Sequence, residues 1–428
     1  MKKLMVSVLL GTILMSSNVL AGSTTLLSTK SQKKQSDGLS SDSSASGTGK
    51  FVAFRSSATV LDDRCNSGLN HIFVRDRTAQ TTRCISVNSN GNQGNQDSDA
   101  PSVSSDGQFI AFDSKATDLA GKCDNGASHI FVHDRLARTT RCVSINSNGN
   151  QGNLDSHAPS ISSDGRFIAF HSAATNLSGG KCNNGFIHVF VHDLTAGTTT
   201  CVSVNSNGGE GDGNSFDPSI SANGELVVFH STAANLTGRC SNGNSHIYLR
   251  NRLSDNTSCV SVDSDETESN GNSSLPKISG DGLFVVFQSD ATNLTPQCNN
   301  GFAQIYIRDL ADDRTFCASR DSNGNQGNND SVQPSISSVG RFIAFSSAAT
   351  NLVSNRCTGG NKQIFIRDRT QDKTTCASLG PKNVEGNGDS ENPSISGDGK
   401  VVSFDSNSSN LVKKDGNNLS DVFARVLP

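Results

Sequence analysis

Tryptophan is absent from this 428-residue chain, tyrosine occurs twice and methionine three times. The aromatic platforms on which sugars usually stack are therefore nearly missing. No window shows the 3.6-residue periodicity of an amphipathic helix. Beyond residue 21 no apolar run is long enough to span a bilayer. A G-x-S-x-G elbow is missing as well, which excludes the nucleophile of an α/β-hydrolase domain. The formal net charge of −4 is small and mixed, which argues against a nucleic-acid or membrane-surface protein.

What is present is a phrase that keeps returning. Pro159–Phe170 reads PSISSDGRFIAF and recurs at Pro101–Phe112, Pro218–Phe229, Pro276–Phe287, Pro334–Phe345 and Pro393–Phe404, with a worn copy at Ser43–Phe54. The closing phenylalanines are spaced 58, 58, 59, 58, 58 and 59 residues apart. So regular a period governs the architecture. One period holds four short runs rich in Val, Ile, Phe and Thr: PSIS, RFIAFHS, IHVFVHD and TTCVSVN. The first two are joined by Asp-Gly, a strong hairpin signal. Four antiparallel strands per repeat, seven times over, predict an all-β, seven-bladed β-propeller. Six of the nine prolines are expected to open the inner edge strand, where a missing N–H is tolerated. An open solenoid is the alternative, but no distinct polar capping repeat is visible.

In chain order, residues 1–21 read as a secretory signal peptide: Lys2 and Lys3, an apolar run, then Val19-Leu20-Ala21 before the cleavage site. Its removal takes the formal charge to −6. No cysteine follows Ala21, against a lipid-modified terminus. Residues 22–42 are expected to hold a closing strand and linker, because Thr24-Thr25-Leu26-Leu27 lines up with the outer strand Thr81-Thr82-Arg83-Cys84. The propeller proper takes 43–428. Its last repeat stops after the third strand, Asp421–Leu427, so the N-terminal strand is expected to complete blade seven and close the ring.

The twelve cysteines fall in two equivalent places, giving the pairs Cys65 with Cys84, Cys123 with Cys142, Cys182 with Cys201, Cys240 with Cys259, Cys298 with Cys317 and Cys357 with Cys376. Blade seven has Asp415 at the first place, and the closing strand has Leu27 at the second. Bridges between blades would strand Cys65 and Cys376, whereas bridges within blades leave no cysteine over. Six within-blade disulfides are therefore expected in an exported, oxidised protein. Two thiols per blade do not make a tetrahedral zinc site.

The pattern PSISSDGRFIAF…ATNL…NNGFIHVFVHDLTAGTTTCVSVNSNG resembles the TolB-type propeller repeats, relatives of the WD-repeat class found in exported bacterial proteins. The resemblance covers essentially all of the chain beyond the signal segment and implies the propeller fold. TolB's work with envelope lipoproteins goes with a separate N-terminal α/β domain and is not carried over. Repeats of this group often show D-x-N-G-x-x-D where these blades have C-x-N-G-x-x-H. Blade seven stays closer to that form, at Asp415-Gly416-Asn417-Asn418-Leu419-Ser420-Asp421.

Candidate sites are few. His71, His129, His188 and His246 share one repeat position with Gln304, Gln363 and Asp421, and are expected to hydrogen-bond their own loops. His171 and His230 follow the second strand and face varied counterparts: Arg55, Asp113, Gln288, Ser346 and Asp405. Inter-repeat loops such as Asn146–Asp155 alternate Asn and Asp as calcium loops do, although turn geometry asks for the same residues. Calcium is the one candidate cofactor, with Asp415, Asn417 and Asp421 as its best ligands. The long loops after strands two and four share a face, which is expected to be the working one. Its most acidic sector carries Asp263, Asp265, Glu266 and Glu268. The reading is a periplasmic or secreted, non-enzymatic binding or scaffold protein that captures a protein or other extracytoplasmic ligand on that face. A lyase or hydrolase acting at the central channel is the alternative, and a calcium-stabilised structural envelope protein is a third reading.

Overall fold

The computed structural model describes residues 22–31 and 34–428. Residues 1–21, read from sequence as a signal peptide, lie outside the described residues. Seven four-stranded antiparallel sheets follow one another, and in six of them the strands run inner, second, third and outer in chain order. Blade three shows the plan: inner Ser156–Ile161, second Phe167–Ser172, third His188–Asp193 and outer Thr198–Cys201. In blade seven the outer place is taken by Thr24–Leu26, which pairs antiparallel with Asp421–Val426. The ring is closed as expected, by joining the two ends of the chain.

Alternation in the second and third strands buries both faces, because each blade is sandwiched between two others. Every blade stacks one phenylalanine of its second strand on an aromatic of its third, with centroids 5.8–6.0 Å apart. The buried Tyr248 and Tyr306 hydroxyls donate to loop carbonyls of their own blades, at Ala233 and Cys240 and at Ala291 and Cys298.

All six disulfides join cysteines of one blade, and no cysteine is free. Cys65 is bonded to Cys84, Cys123 to Cys142 and Cys182 to Cys201. Cys240 is bonded to Cys259, Cys298 to Cys317 and Cys357 to Cys376. Such a framework belongs to an oxidising, extracytoplasmic compartment. His129 and His188, each the first residue of its blade's third strand, bond a serine through Nδ1 and a loop asparagine through Nε2, the local role expected of them. Each of the four histidines lies beside its blade's disulfide, whose sulfurs are already bonded to one another. In blade five the buried Cys317 has no such histidine beside it. Gln304 holds that place and accepts from Ser319, whose hydroxyl also lies 3.9 Å from the Cys317 sulfur.

One expectation is corrected. The repeat prolines do not open the inner strand; they sit within it, at a bulge. Ser156–Ile161 pairs as Ser156↔Ser172 and His157↔His171, then shifts register before Ser160↔Ala169. Ala158 and Pro159 form the bulge, and the same shift recurs in all seven blades. A proline cannot donate to the ladder, and a bulge places it where no donor is required. The outer strand is also shorter than its apolar pattern suggests, ending at Cys201, after which Asn205 folds into a turn.

The two ends of the channel differ. At the short-turn end, seven backbone hydrogen bonds of 2.8–3.1 Å tie each inner-strand turn to the next, from Gly47 N to Ser105 O round to Asp398 N to Gly47 O. The seam between first and last blades is tight: a Cβ on Gly397 would lie 3.2 Å from the Gly47 Cα. Deeper in, Ser44, Ser102, Ser160, Ser219, Ser335 and Ser394 each accept the inner-strand N–H of the following blade. Lys277 replaces the seventh serine.

Candidate functional site

The bulge brings a repeat position of unusual conformation to the channel. Asp42, Ala100, Ala158, Asp217, Leu275, Gln333 and Asn392 all have φ between +48° and +56°. For residues with a Cβ this left-handed backbone costs about 1 kcal/mol or more each. It is held by the ladder on both sides, and it turns the chain around a central cavity of about 400 Å³ lined by the seven inner strands. No cysteine lines that cavity, so the disulfide residues, Cys298 and Cys317 among them, support the blades and take no part in the channel.

Just above the bulge, towards the long loops, paired residues of the inner and second strands form a ring. Blade by blade they are Ser41/Arg55, Asp99/Asp113, His157/His171, Phe216/His230, Ser274/Gln288, Val332/Ser346 and Glu391/Asp405. No two pairs are alike. His171 and His230, flagged from sequence, therefore do belong to one constellation. His157, Phe216 and Asp217 were missed, although the position two before the repeat proline reads Ser, Asp, His, Phe, Ser, Val, Glu where its surroundings repeat.

One arc is imidazole and aromatic. His157 Nδ1 lies 3.0 Å from Asp113 Oδ2, and that hydrogen bond raises its pKa. The His171 ring stands 6.0 Å from His157 and meets the Phe216 ring edge-on at 5.3 Å. Burial lowers His171 to about 4, so it is neutral at physiological pH. Burial lowers His230 too, against the opposing charge of Asp217. The His230 Nδ1 is buried without a hydrogen-bond partner among the described residues, 3.6 Å from Asp217 Oδ2. Phe216 stands between His171 and His230, with centroids 5.3 and 5.5 Å from them.

The other arc is acidic. Arg55 reaches Asp99 at 2.9 Å and Asp42 at 3.2 Å. Asp405 is pushed up to about 7 by burial, with Asp42 and Glu391 adding repulsion. Lys277 opens to the channel but is ringed by protein, and desolvation lowers its pKa against the pull of Asp217.

The loop sites predicted from sequence fare differently. Asp263 caps its own turn through the backbone N–H groups of Asp265 and Thr267, both at 2.8 Å. Glu266 pairs with Arg239 at 3.0 Å and with the buried Arg308. Glu268 accepts the Ser241 N–H at 2.9 Å. Of the four, Asp265 alone has a side chain without a partner among the described residues. The turn role also holds at Asp321, whose carboxylate accepts from Asn323 and Asn325. In blade seven the Gln35 amide donates to Asp415 at 2.8 Å and to Asp421 at 2.9 Å, while Asn417 donates to Ser36 O. Asp421 is fully buried and also accepts from Ser28. A cation shared by these carboxylates would displace that amide.

No protein-family model matches the chain, and a search of curated proteins returned no match. Among solved structures, oligogalacturonate lyase in complex with manganese superposes with a TM-score of 0.56 at 11% identity, over 95% of this chain and 93% of that one. The β-propeller domain of the Trilobed protease from Pyrococcus furiosus, described as having an open velcro topology, gives 0.55 at 11%, over 91% and 95%. TolB from Acinetobacter baumannii gives 0.43 at 13%, over 79% of this chain, which spans 62% of the TolB chain. By its strand pairing and by the first two of these likenesses, the chain is a seven-bladed β-propeller, built from repeats that resemble the TolB type.

Proposed function

We propose that this is an exported binding or scaffold protein, periplasmic or secreted and not an enzyme, that holds a basic segment of a partner protein at its channel mouth. One observation carries the reading. Five carboxylates gather at that mouth, Asp99, Asp113 and Glu391 on ring positions that differ from blade to blade and Asp42 and Asp217 at the bulge, against Arg55, Lys277 and Lys362, the last paired with Glu391 at 2.5 Å. A mouth with a surplus of one sign of charge in low-dielectric walls attracts the opposite sign. The long-loop face remains the side of approach, but its acidic sector is mostly engaged within the fold.

The test is titration of a fluorescent oligolysine peptide against the wild type and an Asp99→Asn/Glu391→Gln variant. Both residues are partly exposed. The variant is expected to bind about tenfold more weakly with an unchanged melting temperature. Binding that falls in Asp265→Asn instead would return the site to the outer loop. The enzyme reading has its own support in the buried His230 Nδ1 beside Asp217, without a hydrogen-bond partner among the described residues and a candidate base. Oligogalacturonate cleavage, with or without manganese, that was lost in His230→Asn would replace the binding reading.

A further inference from the structure

A second site lies away from the channel, at the outer rim between blades one and two. A cleft of about 560 Å³ opens there, lined by Arg64, Arg83, Arg135, Arg138 and His133, with no carboxylate in its lining. Arg64 is held by Asp62 at 2.8 Å, and Arg135 donates to the Gly107 carbonyl. Arg83 and Arg138 are exposed, and among the described residues neither meets an acid or an acceptor. On a chain of net negative charge, this is a local surplus of cations.

The repeat explains what is unusual about it. The equivalent cleft between blades three and four measures about 420 Å³ and is lined by Lys181, Arg250 and Asp255. There Arg250, buried in the third strand, is bonded at 2.6 Å to Asp255 from the turn that follows. Blades five and six repeat the arrangement with Arg308/Asp313 and Arg367/Asp372. In blade two both members have changed. His133 stands at the arginine position, its Nδ1 turned to Thr140 Oγ1 at 2.9 Å, and Arg138 stands at the aspartate position with the same positive φ. The shorter imidazole, found also at His192 of blade three, leaves room that the guanidinium fills in blades four, five and six. The turn now supplies a cation where blades four, five and six supply a carboxylate and blades one and three have Gln80 and Gly197. Burial, with the charge of Arg64 adding to it, lowers His133 to about 4, so its imidazole is neutral in the cleft.

We propose that this cleft binds a small anionic molecule, whose carboxylate or phosphate oxygens take the place that the turn aspartate fills in blades four, five and six. Guanidinium groups suit both kinds of oxyanion, since their paired N–H donors match two oxygens at once. Arg83 and Arg138 are the free donors, and Asn88, Ser89 and Asn90 add polar groups on the loop that borders the cleft.

The test is calorimetric titration with citrate and with pyrophosphate. The wild type is expected to bind at least one of them saturably, one per chain, and more weakly as salt rises. A His133→Arg/Arg138→Asp variant rebuilds the pair that blades four to six already contain, so it should fold. It is expected to lose about tenfold or more in affinity. Arg83→Ala, an exposed change, should weaken binding in the same direction and guards against a folding defect in the double variant. Citrate alone or pyrophosphate alone would identify the anion as carboxylate or phosphate. The proposal is overturned if neither probe binds saturably, or if both variants bind as the wild type does. Channel-mouth variants such as Asp99→Asn should leave this binding unchanged, which separates the two sites.

Discussion

Asp405 is 7% exposed, and burial together with Asp42 and Glu391 holds its pKa at about 7, with Arg55 the nearby opposing charge. An unfolded aspartate titrates near 4. Between about pH 4 and pH 7, therefore, the native protein keeps a proton that the unfolded chain has lost, and stability falls as pH rises through that window. Asp405→Asn should remove this slope and raise stability at pH 8 by on the order of a few kcal/mol. Urea unfolding at a series of pH values reads both; an unchanged slope would mean that Asp405 ionises normally. In the acidic loop, Glu266→Ala leaves Arg308, 2% exposed, without its cross-blade carboxylate. It should lower stability by about 1–3 kcal/mol. Asp265→Asn should stay within about 0.5 kcal/mol of the wild type. Equal effects in thermal melts would contradict this division of roles.

The closing strand is short, yet it carries more than its three ladder pairs, Thr24↔Arg425, Thr25↔Ala424 and Leu26↔Phe423. Leu27 is buried in the blade-one core cluster, and Ser28 donates at 2.5 Å to the buried Asp421 carboxylate while accepting the Val422 N–H. Deleting residues 22–30 should therefore lower the melting temperature by many degrees, because it exposes an edge and removes partners of Asp421. Ser28→Ala should cost about 1–3 kcal/mol by leaving that acid short of a donor. A deletion variant that melted with the wild type would show that the strand does not hold the ring shut.

Across the whole molecule, the same two devices recur at every blade boundary. Hydrogen bonds between inner turns draw the narrow end together, and an outer-strand hydroxyl such as Thr257 Oγ1 donates to the preceding blade's loop at Val204 O. Each disulfide adds a cross-link with a sequence separation of 19, worth roughly 3 kcal/mol in the chain-entropy model. Non-reducing peptide mapping should find Cys65 joined to Cys84, Cys298 joined to Cys317 and each of the other four pairs within its own blade. Full reduction should lower the melting temperature substantially. Blade seven, which has no bridge and relies on Gln35, Ser28 and Asp421, should be the first to exchange its amide protons.

Period, blade number, strand content, cysteine pairing and the closing strand were all legible in the sequence, because each rests on local alternation, turn chemistry or simple spacing. The place of the prolines within the inner strand is not legible there, because a bulge is a relation between two strands, and only the register of Ser156–Ile161 against Phe167–Ser172 reveals it. The channel mouth was half legible. His171 and His230 stood out as replacements at one repeat position. That His157 pairs with His171, that Phe216 separates the two rings, and that Asp217 lies beside His230 depend on the bulge and on how neighbouring sheets meet. What engages the acidic loop is hidden for the same reason: its charges lie outside every strand, but Arg308 of the next blade claims Glu266. Sequence pattern specifies what each blade is. Which side chains meet across seven sheets, and which charges remain free for a ligand, is decided only when the ring closes.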